Sequence, residues 1–412
     1  MDRFTGLIGV ALILGIAFLF SNNRKAINYR TVAVGMALQL GLAIFILKTP
    51  IGQWIFQSIG WFVTKIIDFS NAGGAFVFGP LSNVEVSAKA FGPAYGFIFF
   101  FKIVPTILFV AVLVNIAYHI GLMQFIVQLL ARGMKWLMNV SGAEALSNIS
   151  SAFVGQVEAQ IMIKPYLKNM TKSELMASMT GSFACISGGV MAAYISFGIK
   201  AEYLIAASIM AAPGALVLAK IMFPETEESE TKGEVKLKVE KQFSNIVDAI
   251  SAGCADGLKI GLNVAAMLIG FLALIALINA GLHHLGWLWG DKSFSLDTIF
   301  GYLFAGFAWA MGVPSNEIIP AGALMGTKLV ANEFVAYFQM KDMLGTLSPK
   351  TITILSFALC GFANFGSVGI QIGGISALEP SRRTDLAKLG LKALLCGTLA
   401  SYLSATIAGI LL

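Results

Sequence analysis

The chain has 412 residues, of which 57% are hydrophobic and only 12% charged, with a mean hydropathy of +0.80. Soluble domains run at about 45–50% apolar and about 25% charged residues, so this composition excludes a soluble enzyme, a disordered chain and a nucleic-acid binder. The net charge of +6 matters for where the basic residues fall. Cys185, Cys254, Cys360 and Cys396 are scattered through apolar runs without a CxxC pair, which reads as small packed residues and not as a disulfide framework or zinc site.

About 20 apolar residues cross a hydrocarbon core of ~30 Å. In chain order, the predicted spans are Phe4–Phe20, Thr31–Leu47, Gly96–Ile120, Leu175–Phe197, Tyr203–Phe223, Ile260–Leu282, Ile352–Leu378 and Leu389–Leu412. Arg3 precedes the first apolar run, yet no small-x-small cleavage site follows, so an uncleaved helix is expected. Between the second and third spans, Ile51–Phe69 puts Trp54, Ile55, Ile59, Phe62 and Ile66 on one face, the pattern of an interfacial helix. Gln124–Met138 and Leu296–Met311 read the same way.

Two stretches, 142–169 and 315–343, are too polar for a span and too apolar for a loop. Each reads as two short helices meeting at a tip, Gly155-Gln156-Val157-Glu158 in the first and Ala331-Asn332-Glu333-Phe334 in the second. Such backbone is tolerated at membrane depth only inside protein or beside a water-filled cavity. Each half of the chain then has one order: a span, an amphipathic helix, a hairpin with a glutamate at its tip, and two spans. The span after each hairpin is interrupted, at Cys185-Ile186-Ser187-Gly188-Gly189 and at Gly361–Ser367. An odd number of crossings separates equivalent elements, so the repeats are inverted, and paired broken helices in inverted repeats point to a midplane transport site.

Orientation follows the basic residues. Arg24, Lys25 and Arg30, then Arg132, Lys135, Lys164, Lys168 and Lys172, then Lys232, Lys236, Lys238 and Lys241, then Arg382, Arg383 and Lys388 all fall on one side of an eight-span chain. That side is expected to be the cytoplasm, with both termini outside. The charged stretch 224–243 reads as a solvated cytoplasmic connector.

An ionised carboxylate at bilayer depth costs at least ~2.5–3.5 kcal/mol, so Glu158 and Glu333 need partners or a proton. Asn364 and Ser367 lie one helical turn apart, and Phe362 offers an aromatic surface. Amide, carboxylate, hydroxyl and aromatic groups without a basic cluster suit a neutral, polyhydroxylated, partly planar solute. No Ser/His/Asp set and no nucleotide-binding loop is present, and His119, His283 and His284 sit near span ends. An all-α membrane transporter follows, with about eight spans, two re-entrant hairpins and interfacial helices; a channel is the alternative of another class.

At Gly155–Glu158, Thr327–Tyr337 and Phe357–Ser367 the sequence resembles the concentrative nucleoside transporters, and the match runs over essentially the whole chain. The resemblance implies a bacterial inner-membrane nucleoside symporter, a homotrimer working by an elevator movement, with no cofactor beyond a coupling ion. It implies scaffold helices in 1–120 with the interfacial helix 51–69 and in 260–282. Transport repeats would fill 121–223 and 296–412, with hairpins 142–169 and 315–343, broken helices 175–197 and 352–378, and loop 224–243 between the halves. By the family pattern Gln156, Val157, Glu158 and Val190 face the nucleobase, with Phe362 beside it, while Glu333, Asn364 and Ser367 hold the ribose. A sodium ion would sit among Ser151, Val154, Cys185 and Ile186. Sodium-coupled members usually carry Asn, Thr and Ser where this chain has Ser151, Val157 and Cys185, and commonly Pro where it has Gln160. Val157 and Cys185 lack the side-chain oxygens that sodium prefers, which favours H+ over Na+, with Glu158 or Glu333 as carrier, although backbone carbonyls remain as ligands for Na+. A related solute, such as a nucleobase or modified nucleoside, is the alternative substrate.

Overall fold

A computed structural model describes residues 2–92, 95–231, 243–288, 290 and 294–412. Lys232, Lys236, Lys238 and Lys241 of the charged connector lie outside the described residues. The first half comprises α1 (Asp2–Leu19), α2 (Tyr29–Lys48), α3 (Pro50–Asp68), α4 (Ser70–Phe78), α5 (Val84–Phe91), α6 (Phe99–His119) and α7 (Leu122–Met138). A first hairpin follows as α8 (Gly142–Ser151), α9 (Glu158–Met162) and α10 (Lys164–Leu167), then the broken pair α11 (Lys172–Ala184) and α12 (Gly188–Ser196), and α13 (Ala201–Met222). The second half runs α14 (Ile246–Leu288), α15 (Leu296–Ala310), the hairpin α16 (Ile318–Val330) and α17 (Glu333–Met343), the broken pair α18 (Pro349–Ala358) and α19 (Phe365–Leu378), and α20 (Arg383–Leu411). In both halves the helices thus follow one order: a long helix, an amphipathic helix, short helices meeting at a tip, two helices flanking a break, and a long helix. The short helices α4 and α5 are additions that the hydropathy pattern does not reveal.

Local chemistry sets the boundaries. Thr171 and Glu174 form a reciprocal capping box at the start of α11, and Asn28, Ser348, Asn332 and Asn364 cap α2, α18, α17 and α19 through their side chains. Each supplies an acceptor to a backbone N–H that the first helical turn leaves unpaired.

Two bodies emerge from the packing. One is the pair α6–α14. Gly253, Gly257 and Gly261 form a stripe on α14, and added Cβ atoms at Gly253 and Gly257 would come within 2.6 Å of Val112 Cα and 2.5 Å of Leu108 Cα. Small residues at this spacing let two helix backbones approach closely without relying on a hydrophobic drive. At 43 residues, α14 is ~65 Å long, about twice the hydrocarbon core, and far exceeds the predicted span 260–282.

The other body is built on α13 and α20, which pack on each other, on α11 and on α18. The helices of the first two expected spans, α1 and α2, lie on α13 and α20. The physical reason is Gln39 of α2, fully buried, whose amide donates to Met210 O at 3.2 Å and Ser404 Oγ at 2.9 Å. A buried amide must find partners where it packs, and these lie on α13 and α20.

The amphipathic helix α3 turns Gly52, Phe56, Gly60 and Ile67 inward and leaves Trp54, Trp61 and Phe62 exposed. α15 lies along α16, so close that a Cβ on Gly322 would sit 2.5 Å from Gly301 O. The first part of the connector after α13 is tied down. Gly142 N donates to Thr231 O at 2.8 Å, Thr171 Oγ1 to Glu225 at 2.7 Å and Thr231 Oγ1 to Glu174 at 2.7 Å. Beneath them Lys220 pairs with Glu144 at 2.7 Å, both buried.

Candidate functional site

All ten residues of α8 are buried, so the polar sequence of hairpin one is surrounded by protein, as backbone at depth requires. Ser147 and Ser178 bond at 2.6 Å, Ser178 Oγ donates to Gln160 Oε1 at 2.7 Å, and Gln160 Nε2 donates to Ser182 Oγ at 2.9 Å and Ser147 Oγ at 3.2 Å. Ser151 completes the set, 3.1 Å from Ser182 Oγ. This network fastens α8 and α9 to α11. It sits directly behind the tip, where Gly155 has a φ of 119° and an added Cβ would lie 2.6 Å from Glu158 Oε2.

Beyond the tip, Gly188 N donates to Phe153 O at 3.2 Å, joining hairpin one to the break between α11 and α12. Glu158 begins α9 and is exposed, with Tyr118 of α6 and Asp256 of α14 in electrostatic reach. Gln156 keeps its Oε1 closed from solvent and without a hydrogen-bond partner among the described residues. Val190 is buried on α12. Val157 turns its methyls onto α19, where a Cβ on Gly374 would come within 2.7 Å.

In the second half, Asn332 is extended, caps α17 by accepting Val335 N at 2.9 Å, and starts the helix at Glu333. That carboxylate therefore lies at a helix N-terminus, where negative charge is favoured. Glu333 is only 5% exposed; Tyr194 OH of α12 donates to its Oε1 at 3.1 Å and Asn364 Nδ2 to its Oε2 at 3.1 Å. Asn364 is itself fixed, since its Oδ1 accepts Ser367 N at 2.8 Å. Tyr194 stacks on Tyr337 with ring centroids 4.3 Å apart, and Tyr337 OH donates to Ser356 O at 2.7 Å.

The two breaks meet where Phe362 N donates to Cys185 O at 3.2 Å. Gly361 allows it: its φ is 144°, and a Cβ there would meet Phe183 O at 2.7 Å and Ala184 O at 2.9 Å. Phe362 is half-buried, Asn364 and Ser367 buried. The structure thus gathers Glu333, Asn364 and Ser367 at one point and Gln156, Val157 and Glu158 at another, bridged by α12 and α19. The four residues named for a cation are buried beside the first break. Among them, the Cys185 thiol faces Ser208 O at 3.8 Å, its carbonyl is engaged with Phe362, and the Ser151 hydroxyl donates to Ser147 O at 2.8 Å.

Sequence reasoning missed Tyr194, Lys328 and the bonding role of Gln160. Lys328, 1% exposed, donates to Ala358 O at 2.8 Å. A lysine in an apolar run was the available signal.

Known proteins are similar to this chain over nearly its whole length. The family described as "Na+ dependent nucleoside transporter C-terminus" matches residues 203–409, its N-terminal counterpart residues 8–81, and a "Nucleoside recognition" gate family residues 100–201. The transporter YutK of Bacillus subtilis is 42% identical over 99% of both chains. The nucleoside permease NupC of Helicobacter pylori is 38% identical over 98% of this chain and 96% of its own. The solved structure of CNTnw in an inward-facing substrate-bound state superposes with a TM-score of 0.95 at 40% identity, covering 100% of this chain and 98% of that one. This chain belongs to the concentrative nucleoside transporter family. As a member it is a multi-pass membrane nucleoside transporter and not an enzyme, and the all-α fold is that of the family.

Proposed function

We propose that this concentrative nucleoside transporter is a proton-coupled nucleoside importer of the bacterial inner membrane, with both termini outside, acting as a homotrimer. The body built on α13 and α20, carrying both hairpins, moves past α6–α14 in an elevator cycle. The observation that carries the substrate reading is Glu333 held between Tyr194 and Asn364. An ionised carboxylate offers about four lone-pair sites; Tyr194 and Asn364 occupy one on each oxygen, leaving acceptors for the hydroxyls of a ribose diol. Gln156 supports the base reading, since its unpartnered amide oxygen can accept from an exocyclic amine or ring N–H. Glu158 and Val190 complete that side, with Phe362 against the ring and Val157 packed behind on α19.

Proton coupling is supported by the chemistry beside Cys185. Sodium prefers oxygen ligands, and at Cys185 the side chain is a thiol turned to Ser208 O of α13. Sodium is the rival ion, as the "Na+ dependent" description of the matching family states. Uridine uptake into proteoliposomes under separately imposed gradients decides between them: accumulation is expected with a proton gradient alone, and accumulation that demands sodium refutes proton coupling.

A further inference from the structure

Lys328 has no part in the scheme above, yet it is a fully buried ammonium five residues before Glu333 in hairpin two. It stands in the last turn of α16 and is 1% exposed. Its Nζ donates to Ala358 O at 2.8 Å, and Ala358 is the last residue of α18. The carboxyl end of a helix carries partial negative charge on unpaired carbonyls, so a cation is favoured there. Lys328 and Glu333 act on each other electrostatically without direct contact: the ammonium is turned to α18 and the carboxylate to Tyr194 and Asn364. Of the charged side chains in 315–343 only Lys328 and Glu333 are buried, and their opposite signs lower the penalty of burying either one alone.

We infer that Lys328 is a tethered counter-cation that keeps Glu333 a carboxylate throughout transport, so that Glu333 accepts from substrate hydroxyls and Glu158 is left to carry the coupling proton. Lys328 touches no substrate; it acts through Glu333 and by capping α18. The other groups facing Glu333 are the neutral hydroxyl of Tyr194 on α12 and the amide of Asn364 at α19, with Tyr337 on α17 and Cys360 after α18 close by. None of these is a cation. The equivalent half-helix end in the first repeat is capped differently: the carbonyls of Phe183 and Ala184 face the backbone of Gly361. The first repeat places no lysine between Ser151 and Glu158, so Glu158 lacks such a local counter-charge.

The inference rests on the ribose reading of Glu333, and the test separates the two. Proteoliposomes of wild type, K328M and K328R are assayed for the affinity ratio between uridine and its 2′,3′-dideoxy analogue, from mildly acidic to neutral pH. In wild type and K328R the ratio should stay constant with pH. In K328M it should fall about tenfold towards acid, as charge-assisted hydrogen bonds to a carboxylate become neutral ones. A flat ratio in K328M, or one that titrates in wild type, overturns the role of Lys328. A wild-type ratio near one refutes the ribose reading alone. Infrared difference spectra of wild type, with E333Q to assign the bands, then decide the charge independently and without K328M: no protonated carboxyl band from Glu333 is expected at mildly acidic pH, and its presence overturns the inference.

Discussion

In hairpin one, the buried amide of Gln160 joins Ser147, Ser178 and Ser182 in a wholly neutral network, whereas hairpin two buries an ammonium and a carboxylate, Lys328 and Glu333. Both solve the same problem, which is to satisfy polar groups at the centre of a membrane protein. They solve it with different consequences at the tip. The neutral network fixes the backbone behind Gly155 and leaves Glu158 exposed towards α6 and α14, where its proton can exchange. The charged arrangement fixes Glu333 itself, buried and bonded to two other helices. One tip is suited to changing charge and the other to keeping it.

That contrast can be broken most severely at Glu333. Each hydrogen bond to a charged group is worth ~1.5–3 kcal/mol, so E333Q should lower uridine uptake efficiency by ~100-fold or more, measured as initial rate over concentration. K328M leaves the Ala358 carbonyl without its donor and the buried Glu333 carboxylate without a counter-charge, and should destabilise the fold by ~3–5 kcal/mol, read as a lower thermal midpoint in detergent. Q160L should cost less, ~1–3 kcal/mol for the serine hydroxyls left unpaired. If K328M and Q160L destabilise equally, the distinction between the charged groups behind one tip and the neutral network behind the other loses its energetic basis.

How far this contrast was legible in the sequence depends on the residue. The glutamates at both tips, Asn364 and the two breaks were legible because carboxylates, amides and glycines stand out against an apolar background and recur in the same order in both halves. Tyr194 was not, since a tyrosine in an apolar run reads as packing until its hydroxyl is seen 3.1 Å from Glu333. Gln160 was visible only as a departure from the family pattern. Its partners Ser178 and Ser182 lie on another helix, and serines in a membrane helix carry no sign of direction. The long apolar helices followed from hydropathy, but which of them pack together did not. Gln39 looks like an isolated polar residue in the second span, and only the positions of Met210 and Ser404 explain why that helix sides with α13 and α20. The length of α14 was hidden because Asp248, Asp256 and Lys259 interrupt the apolar run without interrupting the helix.

Two smaller changes sharpen the comparison. Y194F removes one donor from Glu333 and should weaken uridine affinity by ~10-fold with little change in the maximal rate, seen in the concentration dependence of uptake. C185S places a hydroxyl where the thiol faces Ser208 O and should change proton-driven uptake by less than about twofold, since a side chain turned to α13 does not reach the hairpin tip; surface-scale effects of this size are below ~0.5 kcal/mol. Sodium stimulation appearing in C185S would mean that this side chain reaches a cation after all.

The most direct measurement of the division of labour between the tips is uridine accumulation and uridine exchange in proteoliposomes of E158Q under an inward proton gradient. The account predicts that E158Q still exchanges uridine across the membrane but no longer accumulates it, because the binding carboxylate Glu333 is intact and the proton carrier is gone. Undiminished proton-driven accumulation by E158Q would contradict it.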